Sequence, residues 1–256
     1  MRWNELEPEP GIFAALDHAG DRPEDGDQNE KRHWSENFAN GCAVAIADAF
    51  RESELSDKSI LPGSLAGGTE PLTPLGSGTQ KRIDVTGTDA VLGLEVGVSL
   101  KGLNFRDKRT GNFDKNLTGR MYELTDEVRL VHEHLPHAFM VGVFFLPLPS
   151  VEDKKSGSTS SFARTVVKLR ERTGRLDPAL AGHAARCDLT YVGLYSSGEP
   201  PGIAKGACRF HNTQVSPPKT GRPKIDQTFS LADMIDGIVS RATYTEDIDW
   251  ADSEEE

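Results

Sequence analysis

The sequence predicts an α/β fold, a mixed sheet flanked by helices, on three observations. A helical apolar stripe runs through Asn29–Arg51, where Trp34, Phe38, Cys42, Ala45 and Ala49 fall at helical spacing. Two strand-like runs, Lys81–Thr86 and Leu92–Asn104, flank the turn-prone Gly87-Thr88-Asp89 and predict a β-hairpin. A helix over about Thr118–His134 then leads into Ala138–Leu148, which is apolar without alternation. That pattern fits a central strand covered on both faces. Helix, hairpin, helix, buried strand is an order most simply buried as a sheet between helical layers.

Along the chain, residues 1–27 are rich in Pro, Asp, Glu and Gly and predict a loosely ordered acidic arm. Gly41, inside the first helix, marks a close packing contact. Residues 52–80 repeat Gly, Pro and Ser and predict a long loop. A polar loop, Arg106–Thr118, follows the hairpin, with Thr118 as N-cap of the next helix and Pro136 closing it. The second half predicts a basic helix around Ser160–Thr173 and strands near Leu189–Tyr195 and Ala207–His211. A basic loop over 216–224, a last amphipathic helix around Ser230–Thr243 and an acidic tail over 244–256 complete the chain. One domain over 28–243 between arm and tail is the expected organisation, with no internal repeat.

Composition bounds the function classes. The chain has 256 residues, 36% hydrophobic and 27% charged, enough for one sizeable core. The acidic first thirty residues lack the apolar core of a signal peptide, and Ala138–Pro149 is too short to cross a bilayer. Cys42, Cys187 and Cys208 are odd in number and widely spaced, which disfavours a disulfide framework and points to the reducing cytoplasm. The net charge of −11 argues against a nucleic-acid partner until its distribution is considered. Residues 1–30 hold nine acids and two bases, and residues 233–256 hold nine acids and one base. The body between them is net basic. Residues 101–120 carry six bases against two acids, and residues 154–175 carry seven against one. Two basic segments beside one strand point to a phosphate-binding face.

The segments Lys81-Arg82-Ile83-Asp84-Val85 and Leu94-Glu95-Val96-Gly97-Val98-Ser99-Leu100-Lys101, with the helix and strand that follow, resemble the PD-(D/E)XK phosphodiesterase superfamily. The resemblance covers roughly residues 29–148. It implies a restriction-endonuclease-like α-β-β-α-β core and a Mg²⁺-dependent endonuclease of restriction or phage-defence type. Double-stranded DNA would be the partner, with no membrane and a homodimer allowed. The chemistry suits the residue types. A divalent ion neutralises phosphate charge and lowers the pKa of the attacking water. Mg²⁺ prefers one or two carboxylates plus water and phosphate, and a nearby lysine stabilises developing charge. On this resemblance Asp84 and Glu95 are the metal ligands and Lys101 the catalytic lysine. Arg106, Lys115, Asn116 and Arg120 are the candidate nucleic-acid contacts.

The chain departs from the family pattern in one respect. The family's lysine stands two residues after the acid, where this chain has Gly97; Lys101 is six after Glu95. On a straight strand those six residues span about 20 Å, with both side chains on one face. Two registers follow. In one, a tight turn at Asp89-Ala90 sets Asp84 opposite Glu95, and the lysine comes from elsewhere. In the other, a longer connection before Gly93 lets Ser99-Leu100-Lys101 fill the acid-x-lysine slot. A helical carboxylate, Glu36 or Glu123, then replaces the missing acid. Asp84 is common to both.

Each candidate has a plainer reading. Asp84 can be a strand-end acid held by Arg82 or a turn amide. Glu36 sits nearly opposite the Trp34–Phe38 stripe, as a solvated residue would, and Glu123 and Glu127 fit an ordinary helix surface. His132, His134 and His137 do not follow HExxH spacing, and Pro136 breaks the helix that would align them. Gly221-Arg222-Pro223 matches the core of peptides that insert arginine into a narrow minor groove. The function classes are therefore a nuclease, a non-catalytic nucleic-acid-binding subunit on the same fold, or an interaction module working through its acidic tails.

Overall fold

The computed structural model describes residues 2–65, 72–76, 78–177 and 182–246, with side chains through residue 243. The first helix, α1 (Pro10–Ala19), starts on a proline and buries Ile12, Ala15 and Leu16. These residues pack on α2 (Gln28–Arg51), where a Cβ on Gly41 would lie 2.6 Å from Ala15. Glycine is needed there because the two backbones touch. The acidic arm expected over 1–27 is therefore corrected. Its acids lie outside a short i, i+3, i+4 apolar face that docks on α2, and Trp3 in a preceding 3-10 turn is buried as well. The turn into α2 is capped reciprocally. Asp27 Oδ1 accepts N–H bonds from Asn29 and Glu30 at 2.7 and 3.0 Å, while Asp27 N–H donates to Glu30 Oε2 at 2.7 Å.

A six-stranded mixed sheet lies at the centre. Its strands are β1 (Ser59–Leu61), β4 (Val85–Asp89), β5 (Gly93–Gly102), β6 (Phe139–Pro147), β7 (Leu189–Tyr195) and β8 (Cys208–Asn212), in that spatial order. The β5–β6 and β6–β7 pairs are parallel, and the other three are antiparallel. A separate hairpin joins β2 (Leu72–Gly76) to β3 (Thr79–Arg82). The loop expected over 52–80 thus contains β1, β2 and the start of β3, too short and polar to show an alternation in sequence. Helix α3 (Leu117–His134) connects β5 to β6, α4 (Ser161–Arg170) connects β6 to β7, and α5 (Leu231–Glu246) follows β8.

Side-chain alternation sorts the helices into two layers. Val98, Leu100, Val141, Val143 and Tyr195 pack with α1, α2 and α5 on one face. Met140, Phe144, Leu146 and Val192 pack with α3 and α4 on the other. All nine residues of β6 are buried because both faces are covered. Each of its large side chains contributes roughly 1.5–3 kcal/mol. Among the described residues no helix is long and apolar enough to cross a membrane.

One irregularity positions the site. The β4–β5 ladder pairs Gly87 with Val96 but Thr88 with Leu94, so Glu95 is the extra residue of a bulge. The bulge inverts the alternation: Leu94 joins the α3 face while Val96 joins the α2 face. Parity carried from Glu95 to Lys101 therefore does not hold in this strand.

Candidate active site

Asp84 stands at the corner where the chain turns from β3 into β4. Val85 pairs with Val98, so Asp84 lies beside Ser99 and Leu100, and its Oδ2 accepts the Leu100 N–H at 2.6 Å. The connection between Asp89 and Gly93 has three residues, and Gly93 takes a positive φ of 81°. This is the longer connection of the second register. It brings Asp84 to Ser99-Leu100-Lys101 and not to Glu95.

Lys101 points to the α3 face, where its Nζ lies 3.2 Å from Glu127 Oε2. Glu127 is buried and Lys101 largely so, with side chains at 7% and 11% exposure. Burial is the largest influence on the Lys101 amine and favours its neutral form. The carboxylates of Glu127, Asp84 and Glu123 together outweigh it, and the pKa is raised above the ordinary lysine value. Lys101 is held as an ammonium. Two atoms beside it lack partners among the described residues: Glu127 Oε1 and Ser99 Oγ, both shut off from solvent. A buried carboxylate oxygen with no donor is uncommon, because its desolvation goes uncompensated. Both atoms are hard oxygen donors of the kind Mg²⁺ takes. Cys187 adjoins them, its thiol pushed up by burial and then by Asp188 and Glu127.

Glu127 was legible in the sequence but read as surface. It lies three after Leu124 and four before Val131, inside the buried arc of α3. A carboxylate in that arc requires a buried partner. Ser99 has no such signal.

The other sequence candidates lie elsewhere. Glu95 faces Lys58, whose Nζ is 3.2 Å from Oε1 and 2.9 Å from Oε2, with Asp89 3.5 Å from the same ammonium. Position 97 is walled by Met140, whose sulfur would stand 2.5 Å from a Cβ there. Glu36 lies on α2, in the opposite layer, exposed and 3.6 Å from Arg32. Glu123 is exposed and paired with Arg120 at 2.7 Å. The three histidines bond separate carbonyls: His132 those of Ala184 and Ala138, His134 that of Leu130, and His137 that of Leu92. Among the described residues no group of three His, Cys, Asp or Glu side chains is assembled to hold a metal ion.

The basic loop after β5 is partly neutralised by its own carboxylates. Arg106 stacks over Phe113 at 4.6 Å and donates to Gly111 O at 2.8 Å. Lys115 bonds Asp107 at 2.6 Å, and this bond, with those from Thr110, holds the Asp107 carboxyl well below its ordinary range. Asn116 precedes α3 without a side-chain cap bond. Buried Asp114 binds Lys154 at 2.6 Å and Arg164 at 3.1 Å, tying this loop to the segment after β6. Lys108, Arg109 and Lys155 are exposed.

Comparison of the chain with protein-family models, with curated proteins and with solved structures found no match.

Proposed function

We propose that the protein is a Mg²⁺-dependent endonuclease of the PD-(D/E)XK type that hydrolyses phosphodiester bonds in DNA. The observation that carries this reading is the Asp84–Lys101–Glu127 cluster, with Glu127 Oε1 and Ser99 Oγ buried and unpartnered beside it. The order of elements supports it: α2, antiparallel β4 and β5, α3, then β6 parallel to β5 follow the α-β-β-α-β order implied by the resemblance. Ser99 takes the strand position of the family's acid, and Glu127 supplies a carboxylate from α3 in its place.

Asp84 and Glu127 would hold Mg²⁺, with water and substrate phosphate completing its shell, which is why two carboxylates suffice. The bound ion supplies Lewis-acid neutralisation of the phosphate and a more acidic water. Lys101 stays charged at neutral pH and so acts as a donor: its ammonium orients the water or stabilises the phosphate oxygens, and does not act as a base. The Leu100 N–H holds one oxygen of the Asp84 carboxylate and so restrains its rotation. Arg106, Lys115 and the exposed lysines nearby would position the backbone without reading sequence.

A second reading, a nucleic-acid-binding subunit without catalysis, is favoured by the closeness of the Lys101–Glu127 pair, 3.2 Å apart as a structural ion pair would be. Supercoiled plasmid incubated with the full-length protein in Mg²⁺ or EDTA separates the two. Nicking in Mg²⁺ that EDTA stops and Lys101→Met abolishes is expected. Binding with no Mg²⁺-dependent nicking would leave the second reading standing.

A further inference from the structure

The chain carries a second cationic feature at the same end of the sheet. The β6 strand runs out into 148–160, where Asp153 Oδ2 accepts Phe113 N–H at 2.9 Å and ties the basic loop down. The same segment anchors residues 219–224: Ser160 N–H donates to Lys219 O, and Gly221 N–H donates to Val151 O, both at 2.9 Å. From the other side the buried Trp3 indole N–H donates to Pro223 O at 2.9 Å. The Gly221-Arg222-Pro223 tripeptide is therefore built into the fold and is not a free strand able to enter a minor groove. Its neighbours enclose an open basin of about 720 Å³, rimmed by Arg2, Arg222 and Lys224 together with Glu152 and Asp226. None of the three cations makes an ion pair among the described residues.

We infer that this basin is a second phosphate-binding surface, taking the sugar-phosphate backbone of duplex DNA that flanks the bond held at Lys101. The inference rests on the nucleic-acid reading above and extends it to a part of the surface outside the cluster. Two guanidinium groups and an ammonium without internal partners suit phosphate, which arginine can grip bidentately. Their backbone is already fixed, so binding forfeits little conformational entropy. Glu152 and Asp226 restrict the fit to a backbone that meets the rim at spaced points, since a dense phosphate cluster would be repelled.

Fluorescence anisotropy of a labelled 30-base-pair duplex, with full-length protein in EDTA, tests this without cleavage. Arg222→Gln with Lys224→Gln removes two exposed charges, and thermal melting of the variant confirms its fold. Each phosphate contact contributes about 0.9 to the salt slope, so losing two lowers it by about 1.8. Between 50 and 200 mM salt the wild type should then lose about twelvefold more affinity than the variant. Equal slopes and equal affinities overturn the inference, and so does a wild type that binds no duplex. Arg2→Gln provides an independent variant, expected to lower the slope by about 0.9. The nuclease reading fails separately: a wild type that binds with the basin-dependent slope but never nicks plasmid keeps the basin and loses the catalyst.

Discussion

The two ends of β5 each hold a lysine among carboxylates, and they differ in what completes the arrangement. At the Glu95 end both carboxylate oxygens face Lys58, and Asp89 Oδ1 accepts the Val91 and Leu92 N–H groups at 2.7 and 3.1 Å. Asp57, 3.9 Å from the same ammonium, is open to solvent. Glu95 Oε2 lies 2.9 Å from the Lys58 ammonium but, like Glu127 Oε1, is buried without a hydrogen bond among the described residues. At the Lys101 end Glu127 is buried with one oxygen unpartnered, and Ser99 Oγ is buried beside it. The causes of the two lysine shifts differ accordingly. A hydrogen bond from Lys58 to Glu95 is the main influence raising its pKa, whereas Lys101 is chiefly opposed by burial and stays charged through three carboxylates. The Glu95 end therefore differs in having a further carboxylate, Asp57, in solvent beside its lysine, while the Lys101 end adds a second buried orphan, Ser99 Oγ.

That contrast is sharpest in stability. Glu127→Ala leaves the Lys101 ammonium buried without its nearest partner, and should cost about 3–5 kcal/mol in denaturant unfolding. Glu95→Ala should cost less, because Lys58 keeps Asp89 and some access to water. The double replacement Lys101→Met with Glu127→Leu removes both charges together and should restore wild-type stability or exceed it by about 1–4 kcal/mol. Equal losses for Glu127→Ala and Glu95→Ala would make the two ends equivalent and remove the contrast.

Activity should separate the ends in the same direction. Asp84→Asn keeps an oxygen to accept the Leu100 N–H while removing the charge, and should lower plasmid nicking by about 10²–10³-fold. Glu127→Gln should do likewise. Glu95→Gln, acting at the Lys58 end, away from Asp84 and Lys101, should leave the nicking rate within about threefold, a change under 1 kcal/mol in barrier height. A Glu95→Gln protein that is folded and inactive, beside an active Glu127→Gln, would return the site to the first register.

Local signals made much of the fold legible, and long-range pairing hid the rest. The α2 stripe, the Pro-terminated α3 and the unbroken apolar β6 can each be read from a few neighbouring residues, and observed boundaries differ by one or two residues. Helix α1 was obscured because its acidic surroundings dominate composition, although Ile12, Ala15 and Leu16 carry the spacing. Strand β1 is three residues long and exists only through its pairing with β4. The bulge at Glu95 is decided jointly by two strands, so a parity argument on one strand placed Glu95 and Lys101 on the same face. The site was half legible. Asp84 and Lys101 stand out by residue type, and Glu127 by an acid in an apolar arc. Ser99 becomes visible only when the register is known.

The smallest effect concerns alkaline pH. Both lysines have folded pKa values raised above 10.5. A raised folded value means that each lysine's contribution is fully present below the unfolded lysine pKa. The contribution is lost as pH rises through the folded value. Unfolding of the wild type and of the Lys101→Met, Glu127→Leu protein, compared between pH 8 and 11.5, should therefore show the wild type losing stability relative to the variant only above about pH 10.4. A Lys58→Met, Glu95→Leu protein should show the same sign. Salt then tells the ends apart. At 1 M ionic strength the screening length falls to about 3 Å, which weakens interactions open to solvent far more than buried ones. The pH-dependent difference should shrink for the Lys58 pair, whose lysine side chain is 17% exposed beside the solvent-open Asp57, and persist for the Lys101 pair, whose lysine side chain is 11% exposed. Loss of both differences in salt would place Lys101 in contact with solvent and undo the account of Glu127 Oε1 as a dry, unpartnered donor.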